Sequence, residues 1–366
     1  MKERNTRKTR YGQTTLLEKV ATIAWLTLLP LRILYRLCVR EKDEQRSNLR
    51  IANETISRTC TDNLPYNQIQ FVQPGALSVW RSYVPAKERT IDELCTGAKI
   101  LWLGPKQLDK DTDVFLVVHG GGFMFPLSDL FAGFSCHIRN ELLNRNKRVC
   151  FAILAYRLYP IARYPDQLRD ACAALSLILD AGVPPSRIHF IGESAGGNII
   201  LQLLSHILHP NPLIDVLHPA SSKTLGSVML MSPWVSPTIQ GSQNDSQDMI
   251  SEDSLRLWGQ LFLEDVPREH MSYVEPLSTP EQWFSDFPAR RILITSGSVE
   301  GMAPAHELFV EKLKRDGAPL TFIVEEGGCH DGMICDFPMS LLRLVMKPDP
   351  GDVVQKVVDW LAAAVA

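Results

Sequence analysis

Arg187-Ile188-His189-Phe190-Ile191 reads as a short apolar strand, and it runs directly into Gly192-Glu193-Ser194-Ala195-Gly196-Gly197 and then into an apolar helical pattern from Ala195 to Leu208. A G-x-S-x-G pentapeptide between a strand and a helix raises its serine on a very sharp turn. Such a serine sits in a strained conformation with positive φ, clear of the sheet. The residues two before and two after it crowd together and must be small; here both are glycine. The helix N-terminus beneath favours negative charge developing nearby. A chance pentapeptide in a glycine-rich turn is the bland alternative, and the flanking strand and helix weigh against it.

Outward from this turn the chain alternates between two patterns. Apolar runs predict strands at Ala98 to Leu103, Val114 to Val118, Val149 to Ala155, Ser227 to Met231, Arg291 to Thr295 and Leu320 to Val324. Helical patterns cover Asp129 to Leu143, Asp166 to Asp180, Pro304 to Asp316 and Asp352 to Val365. Several strands are almost continuously apolar, as strands covered on both faces are. Alternating elements of this kind predict an α/β fold, with a mostly parallel central sheet and helices on both faces. The rhythm breaks from Pro233 to Pro288, which is rich in Ser, Asp and Pro and has a helical patch around Leu255 to Leu263. The expected organisation is an N-terminal apolar or amphipathic helix and lid part over residues 1–65. A catalytic domain over residues 66–366 follows, with a lid insertion at about 233–288.

Val114 to Val118 runs into His119-Gly120-Gly121-Gly122-Phe123. Acyl transfer places negative charge on a carbonyl oxygen, and backbone N–H groups aimed at that oxygen stabilise it. Consecutive glycines let the backbone approach a ligand without Cβ obstruction. An HGGG-type loop after an early strand is the usual partner of the G-x-S-x-G turn. Gly120, Gly121, Gly122 and Ala195 are therefore the expected oxyanion and substrate-binding positions, with N–H donors assigned to Gly121, Gly122 and Ala195. His119 is expected to brace the loop by hydrogen bonding, and Phe123 and Phe125 are candidates to line an acyl pocket. A phosphate-cradling loop would need G-K-[ST] or G-x-G-x-x-G, and neither is present.

In this architecture the catalytic groups follow in the order Ser, Asp or Glu, His. Glu300 lies just past the strand Arg291 to Thr295, and His330 just past Leu320 to Val324. Catalytic groups collect in such loops at the carboxyl ends of strands. The expected roles are Ser194 as nucleophile, His330 as general base and Glu300 as the carboxylate that orients the imidazole. Glu307 and His306 are rivals, but Glu307 falls inside a helix and His306 precedes the last strand. Asp331 is too near His330 in the chain to be expected at its ring. Cys329, His330, Asp331 and Cys335 lack the spacing of a four-ligand metal site, so no metal is expected.

Composition bounds the remaining readings. A chain of 366 residues with 45% apolar and 22% charged residues is of the ordinary globular class, which excludes collagen-like and wholly disordered chains. With 38 basic and 41 acidic residues the net charge is -3, so there is no electrostatic case for nucleic acid as a partner. Eight scattered cysteines are too sparse for a disulfide scaffold. They predict free thiols in a reducing compartment, in the cytoplasm or on an intracellular membrane surface. The N-terminus differs from the rest. Lys2, Arg4, Arg7, Lys8 and Arg10 precede an apolar stretch from Leu16 to Val39 that is interrupted by Glu18, Lys19, Arg32 and Arg36. Its longest uncharged run, Val20 to Leu31, contains Pro30 and is well short of the roughly 20 residues of a span. No small-residue cleavage site follows. Three readings stand: a lid over an apolar pocket, an interfacial helix over residues 14–39 at a membrane surface, and a span in which Arg32 and Arg36 snorkel.

HGGGF at His119 to Phe123, GESAGG at Gly192 to Gly197, and Tyr156-Arg157-Leu158-Tyr159-Pro160 with Tyr164-Pro165 and Asp170 following, together resemble the hormone-sensitive-lipase-like branch of the α/β-hydrolases. The resemblance runs from about residue 75 to residue 366. Ile161 departs from it where Glu is usual, and Glu300 stands where Asp is more common. The resemblance implies the α/β-hydrolase fold and hydrolysis of hydrophobic carboxylic esters or thioesters through an acyl-enzyme, without cofactor. The extended N-terminus, the Leu101-Trp102-Leu103-Gly104-Pro105-Lys106 stretch and the Gly297-Ser298-Val299-Glu300 loop look like fungal members, which implies a secondary-metabolite pathway and a polyketide-type substrate. Chain release or cyclisation on the same scaffold is the alternative reaction. A non-catalytic ligand-binding receptor, like the plant gibberellin receptor, is the third reading, and the presence of His330 weighs against it. Trp234, Trp258 and Phe262 are expected to bound a pocket for bulky apolar groups.

Overall fold

The computed structural model describes residues 10–39, 46–215, 217, 224–239, 247–340 and 342–365. Lys2, Arg4, Arg7 and Lys8 of the basic N-terminus, and residues 240–246 of the expected insertion, lie outside the described residues. The sheet is formed by β1 (Ile91–Glu93), β2 (Lys99–Leu103), β3 (Asp113–Val118), β4 (Val149–Ala155), β5 (Ile188–Glu193), β6 (Val228–Met231), β7 (Ile292–Gly297) and β8 (Leu320–Glu325). Their order across the sheet is β1-β2-β4-β3-β5-β6-β7-β8. β2 is antiparallel to both neighbours, and every pairing from β4 to β8 is parallel.

The mostly parallel α/β sandwich expected from the alternation is the observed fold. β3 shows why. All six of its residues are buried, so neither face meets water. Val114, Leu116 and Val118 enter the cluster shared with helices Asp166–Asp180, Ala195–Leu208 and Ala303–Arg315. Phe115 and Val117 enter the opposite cluster, shared with Ala76–Tyr83, Asp129–Asn144 and Asp352–Ala362. Successive side chains of a strand point to opposite faces, and here each face has its own helical layer.

The N-terminal third holds the elements that the pattern reading did not resolve. β1 is three residues long (Ile91-Asp92-Glu93), with two of the three exposed, so it gave no apolar run. Helix Asn48–Asn63 (NLRIANETISRTCTDN) buries Arg50, Asn53 and Glu54, and polar residues at buried positions carry no hydrophobic period. It is held by tertiary bonds. The Arg50 guanidinium donates to both Glu325 carboxylate oxygens at 2.6 and 2.8 Å and to Glu54 at 3.0 Å. The Asn53 amide donates to the carbonyls of Cys335 and Phe337 at 2.9 and 3.1 Å.

Helices Leu16–Leu26 and Leu29–Cys38 are different in kind. Thr15 and Glu18 form a capping box at the start, and Pro30 sits in the first turn of the second helix, where its missing N–H costs nothing. Leu16 to Cys38 is 23 residues, long and apolar enough by length and composition to cross a membrane. Leu16, Leu17, Val20, Ile23, Leu31 and Leu34 are each more than half exposed. Thr22 is the buried residue of the first helix, and its hydroxyl donates to Gln68 at 2.8 Å.

Candidate active site

Strand register brings the motif loops together. Val118, the last residue of β3, pairs with Gly192 of β5, and Glu193 pairs with Met231 of β6. The glycine loop at 119–122 and the serine turn therefore leave adjacent strands side by side. Ser194 has φ 50° and ψ −117°. Its N–H donates to the Met231 carbonyl at 2.9 Å, and its carbonyl accepts from Trp234 N–H at 2.9 Å. Helix Ala195–Leu208 packs so close to β3 that a Cβ on Gly196 would stand 2.1 Å from the Val118 carbonyl oxygen. That contact explains the glycine two residues after the serine.

The three residues expected to act together are brought into one buried chain of hydrogen bonds. Ser194 Oγ lies 3.0 Å from His330 Nε2, and His330 Nδ1 lies 2.6 Å from Glu300 Oε1. The other carboxylate oxygen of Glu300 accepts from the Ser232 hydroxyl at 2.9 Å and from Gly297 N–H at 3.0 Å. Glu300 is fully buried, which by itself opposes ionisation. His306 and His330, with these donors, outweigh burial and bring its carboxyl down to about 2. His330 shows the converse. Burial disfavours its cation, yet Asp331 and Glu300 raise it well above the ordinary histidine value.

The rivals fall elsewhere. Glu307 is exposed. His306 is buried behind Glu300, where Nε2–H donates to the Pro233 carbonyl at 2.8 Å and Nδ1 faces the Ser296 hydroxyl at 2.9 Å. Asp331 corrects the sequence expectation. A left-handed backbone at φ 50° turns its side chain back, and Oδ2 lies 3.0 Å from His330 Nε2. Adjacency in the chain prevents such a contact only in an extended or helical backbone. Among the described residues, no group of three or more His, Cys, Asp or Glu side chains is placed to hold a metal ion.

In the glycine loop Gly121 and Gly122 have φ of +87° and +59°. A Cβ on Gly122 would meet the Trp258 ring at 2.8 Å. The N–H groups of Gly121, Gly122 and Ala195 have no backbone acceptor among the described residues. Gly120 needs a correction as an oxyanion position: its N–H donates to Glu193 Oε2 at 2.8 Å, so it lines the site without a free donor. His119 stacks on Tyr156 and its Nδ1–H donates to the Gly120 carbonyl at 3.0 Å. The Tyr156 hydroxyl donates to the same carbonyl at 2.8 Å. Burial lowers His119 to about 4, so it stays neutral and braces the loop.

A cavity of about 450 Å³ opens onto Ser194 and His330. That is within the usual range of small-molecule sites. Its walls are mostly apolar. Ile56, Cys60, Ile69 and Val72 come from the N-terminal region, Met249, Leu255 and Trp258 from the insertion, and Trp234 and Phe125 from the loops. Side chains of 16–39 do not line it, so the roof is built by 48–74 and not by the N-terminal apolar pair. Phe123 and Phe262, both expected at the wall, instead stack on each other with ring centroids 3.7 Å apart, behind the lining.

Sequence reasoning missed Asp248. Its carboxylate accepts from the N–H of His330 and the N–H of Gly301, both at 2.8 Å, so one side chain ties the base loop to the acid loop. Burial pushes its carboxyl up to about 6. It sits in a Ser- and Asp-rich stretch with no periodicity, and nothing in the local sequence marks it.

Residues 115–334 match the family described as the alpha/beta hydrolase fold. An acetyl-hydrolase of Streptomyces hygroscopicus is 24% identical over 226 residues, which cover 60% of this chain and 68% of that protein. Arylacetamide deacetylase of Bos taurus is 33% identical over 101 residues, covering 25% of this chain and 24% of that protein. Among solved structures, a hormone-sensitive lipase from a metagenome library aligns with a TM-score of 0.62 at 17% identity, over 86% of this chain and 97% of that one. This last likeness is one of fold.

Proposed function

Because the chain belongs to the alpha/beta hydrolase fold family, we propose that it is a serine hydrolase that cleaves carboxylic esters through an acyl-enzyme on Ser194. Ser194 Oγ attacks the ester carbonyl while His330 Nε2 takes its proton. Glu300 holds the Nδ1–H tautomer and stabilises the imidazolium that forms. The N–H groups of Gly121, Gly122 and Ala195 receive the oxyanion. His330 then protonates the departing alkoxide, and water repeats the sequence to release the acid. The observation that carries this reading is the Ser194–His330–Glu300 chain at 3.0 and 2.6 Å beside three amide N–H groups that have no backbone acceptor among the described residues.

The apolar cavity supports a hydrophobic ester, and the names of the two curated relatives support an acetyl group as the acyl part. Thioester release or cyclisation of a polyketide-type chain in a secondary-metabolite pathway would use the same acyl-enzyme with a different acceptor. The test is labelling by a fluorophosphonate probe together with hydrolysis of p-nitrophenyl esters of graded chain length. Wild type is expected to label and to turn over; Ser194→Ala is expected to do neither. A folded wild-type protein that does not label overturns the proposal, and a Ser194→Ala variant with full biological function favours a binding role.

The exposed apolar side chains of Leu16–Cys38 favour attachment to a lipid surface, with Lys19, Arg32 and Arg36 at the headgroups. This helix pair adjoins Tyr66–Val72, which contributes Ile69 and Val72 to the cavity wall, so the bound surface would lie near the entrance. Co-sedimentation with anionic vesicles is expected for wild type and lost in Leu17→Glu/Ile23→Glu, whose sites are exposed and tolerate charge in the folded chain.

A further inference from the structure

Two of the oxyanion donors are aimed from behind, through the carbonyls that share their peptide planes. A trans peptide unit is planar, so its N–H points away from its C=O. The Gly120 carbonyl accepts from His119 Nδ1–H at 3.0 Å and from the Tyr156 hydroxyl at 2.8 Å, which turns the Gly121 N–H the other way. The Gly121 carbonyl accepts from the N–H groups of Met124 and Phe125, both at 2.9 Å, which fixes the Gly122 N–H in the same manner. The aim of this second donor therefore depends on where the 123–125 turn is held. Phe123 stands at φ 64°, a conformation that a bulky residue keeps only under outside constraint. One constraint is the Tyr159 N–H, which donates to the Phe123 carbonyl at 3.0 Å.

Another constraint reaches the turn from the N-terminal region. Gln70, on helix Tyr66–Val72, is 3% exposed. Its –NH₂ donates to the Met124 carbonyl at 2.9 Å and to the Tyr159 carbonyl at 2.8 Å, and its Oε1 accepts from Gly12 N–H at 2.9 Å. All three partners are backbone groups of fixed polarity, so the amide has one orientation. Met124 and Tyr159 are buried, and no backbone N–H among the described residues donates to either carbonyl. Removing the –NH₂ would orphan two buried acceptors, a cost that drives the turn to shift toward other donors. Tyr66 of the same helix packs edge-on against Tyr159, with ring centroids 5.6 Å apart. Ile69 and Val72 line the cavity and take no part in these bonds.

We propose that Gln70 is a positioning residue for the oxyanion hole: by tying the Met124 and Tyr159 carbonyls together it holds the turn that aims the Gly122 N–H. The proposal rests on the serine-hydrolase reading and adds to it a residue far from the motif loops in the chain. An N–H aimed at the oxyanion strengthens its bond only as charge develops on the carbonyl oxygen. Its misalignment therefore falls on kcat and leaves substrate binding in place.

The experiment measures p-nitrophenyl acetate hydrolysis by wild type, Gln70→Met and Gln70→Glu, with inhibition by an alkyl trifluoromethyl ketone and by the matching methyl ketone. Ser194 Oγ adds to the fluorinated carbonyl carbon, its proton passes to His330, and the carbonyl oxygen becomes an oxyanion in the hole; the methyl ketone reports on the cavity alone. Gln70→Met fills a similar volume without donors. Gln70→Glu keeps the acceptor for Gly12 N–H and removes the –NH₂, and it decides the matter should Gln70→Met not fold. Outright loss of an oxyanion donor costs about 10²–10³ in rate, so a misaimed one is expected to lower kcat by roughly tenfold to a hundredfold with KM within a few-fold. Inhibition by the trifluoromethyl ketone should weaken by the same factor as kcat/KM, as for a transition-state analogue, with inhibition by the methyl ketone unchanged. Asn67→Ala is the control: its amide donates to the Gln13 carbonyl at 2.9 Å from the same helix, and its loss should lower the melting temperature while kcat and both inhibition constants hold. Folded Gln70 variants with wild-type kcat, an equal loss toward both ketones, or the same fall in kcat in Asn67→Ala overturns the proposal. The two ideas fail separately: wild type that neither turns over ester nor labels at Ser194 removes the hydrolase reading, whereas active wild type matched by its Gln70 variants removes the role of Gln70 alone.

Discussion

Replacing Glu300 by glutamine preserves the side chain's size, and the surrounding bonds dictate how the amide must sit. The Glu300 oxygen facing away from His330 accepts from Gly297 N–H at 3.0 Å, a fixed backbone donor. The amide oxygen must remain on that side. The –NH₂ group is then forced into the position of Oε1, 2.6 Å from His330 Nδ1. Donor meets donor unless the imidazole shifts its proton to Nε2, and an Nε2–H imidazole cannot take the Ser194 proton. The comparable wrong-tautomer change in serine proteases lowers kcat by roughly 10⁴, which at about 1.36 kcal/mol per tenfold is about 5 kcal/mol of barrier. Glu300 does not line the cavity, so KM should change little, the pattern of an interaction made only in the transition state. The assay is steady-state hydrolysis of p-nitrophenyl acetate, with circular dichroism and a thermal melt to establish folding. A folded Glu300→Gln enzyme within tenfold of wild-type kcat refutes the reasoning. Glu300→Asp keeps the charge and is expected to retain most of the rate that glutamine loses.

Three further outcomes follow from contacts around the site. Gly122→Ala puts a Cβ 2.8 Å from the Trp258 ring at φ +59°; the displaced donor should lower kcat by about 10²–10³ with the fold retained, as measured by esterase assay and thermal melting. Arg50→Met leaves Glu325, Glu54 and Asp336 without their shared cation, and urea unfolding should show a loss of about 3–5 kcal/mol. Burial raises Asp336 from its ordinary 3.8 to about 7. A folded value above the unfolded one contributes stability that is complete below pH 3.8 and lost as pH rises through 7. Asp336→Asn should therefore gain in melting temperature relative to wild type between pH 5 and pH 8, and an unchanged difference would contradict the burial argument.

The legible parts of the molecule were those where one local rule suffices. Ser194 could be placed because the G-x-S-x-G turn needs small residues at fixed offsets, and the 2.1 Å approach at Gly196 shows why. Glu300 and His330 could be placed because both follow apolar strands directly. Helices Asp166–Asp180 and Ala195–Leu208 begin and end where the pattern put them. The roof was illegible for an equally physical reason. Helix Asn48–Asn63 is fixed by Arg50 and Asn53 reaching partners more than 270 positions away, and no window along the sequence contains both ends of such a bond. Asp331 was misjudged because its left-handed turn reverses the side chain, and an aspartate adopts that conformation without the glycine that would have signalled it.

The roof and the base are mechanically one unit. Arg50 grips Glu325 at the end of β8, immediately before the loop that carries His330. Arg58, two turns further along the same helix, donates to the Asp248 carbonyl at 2.9 Å, and the Asp248 carboxylate holds the His330 N–H. Cavity wall residues Ile56, Cys60 and Thr61 lie on that same helix. A bulky group that pushes on this wall therefore pushes on the two contacts that aim the imidazole. Core elements shift as packed bodies and not as soft surfaces, so side chains that select the substrate's apolar part also bear on the 3.0 Å separation between Ser194 and His330. Substitutions at Ile56 or Cys60 should consequently alter kcat as well as KM, whereas substitutions at Ile69 or Val72, on a helix without those ties, should act on KM alone.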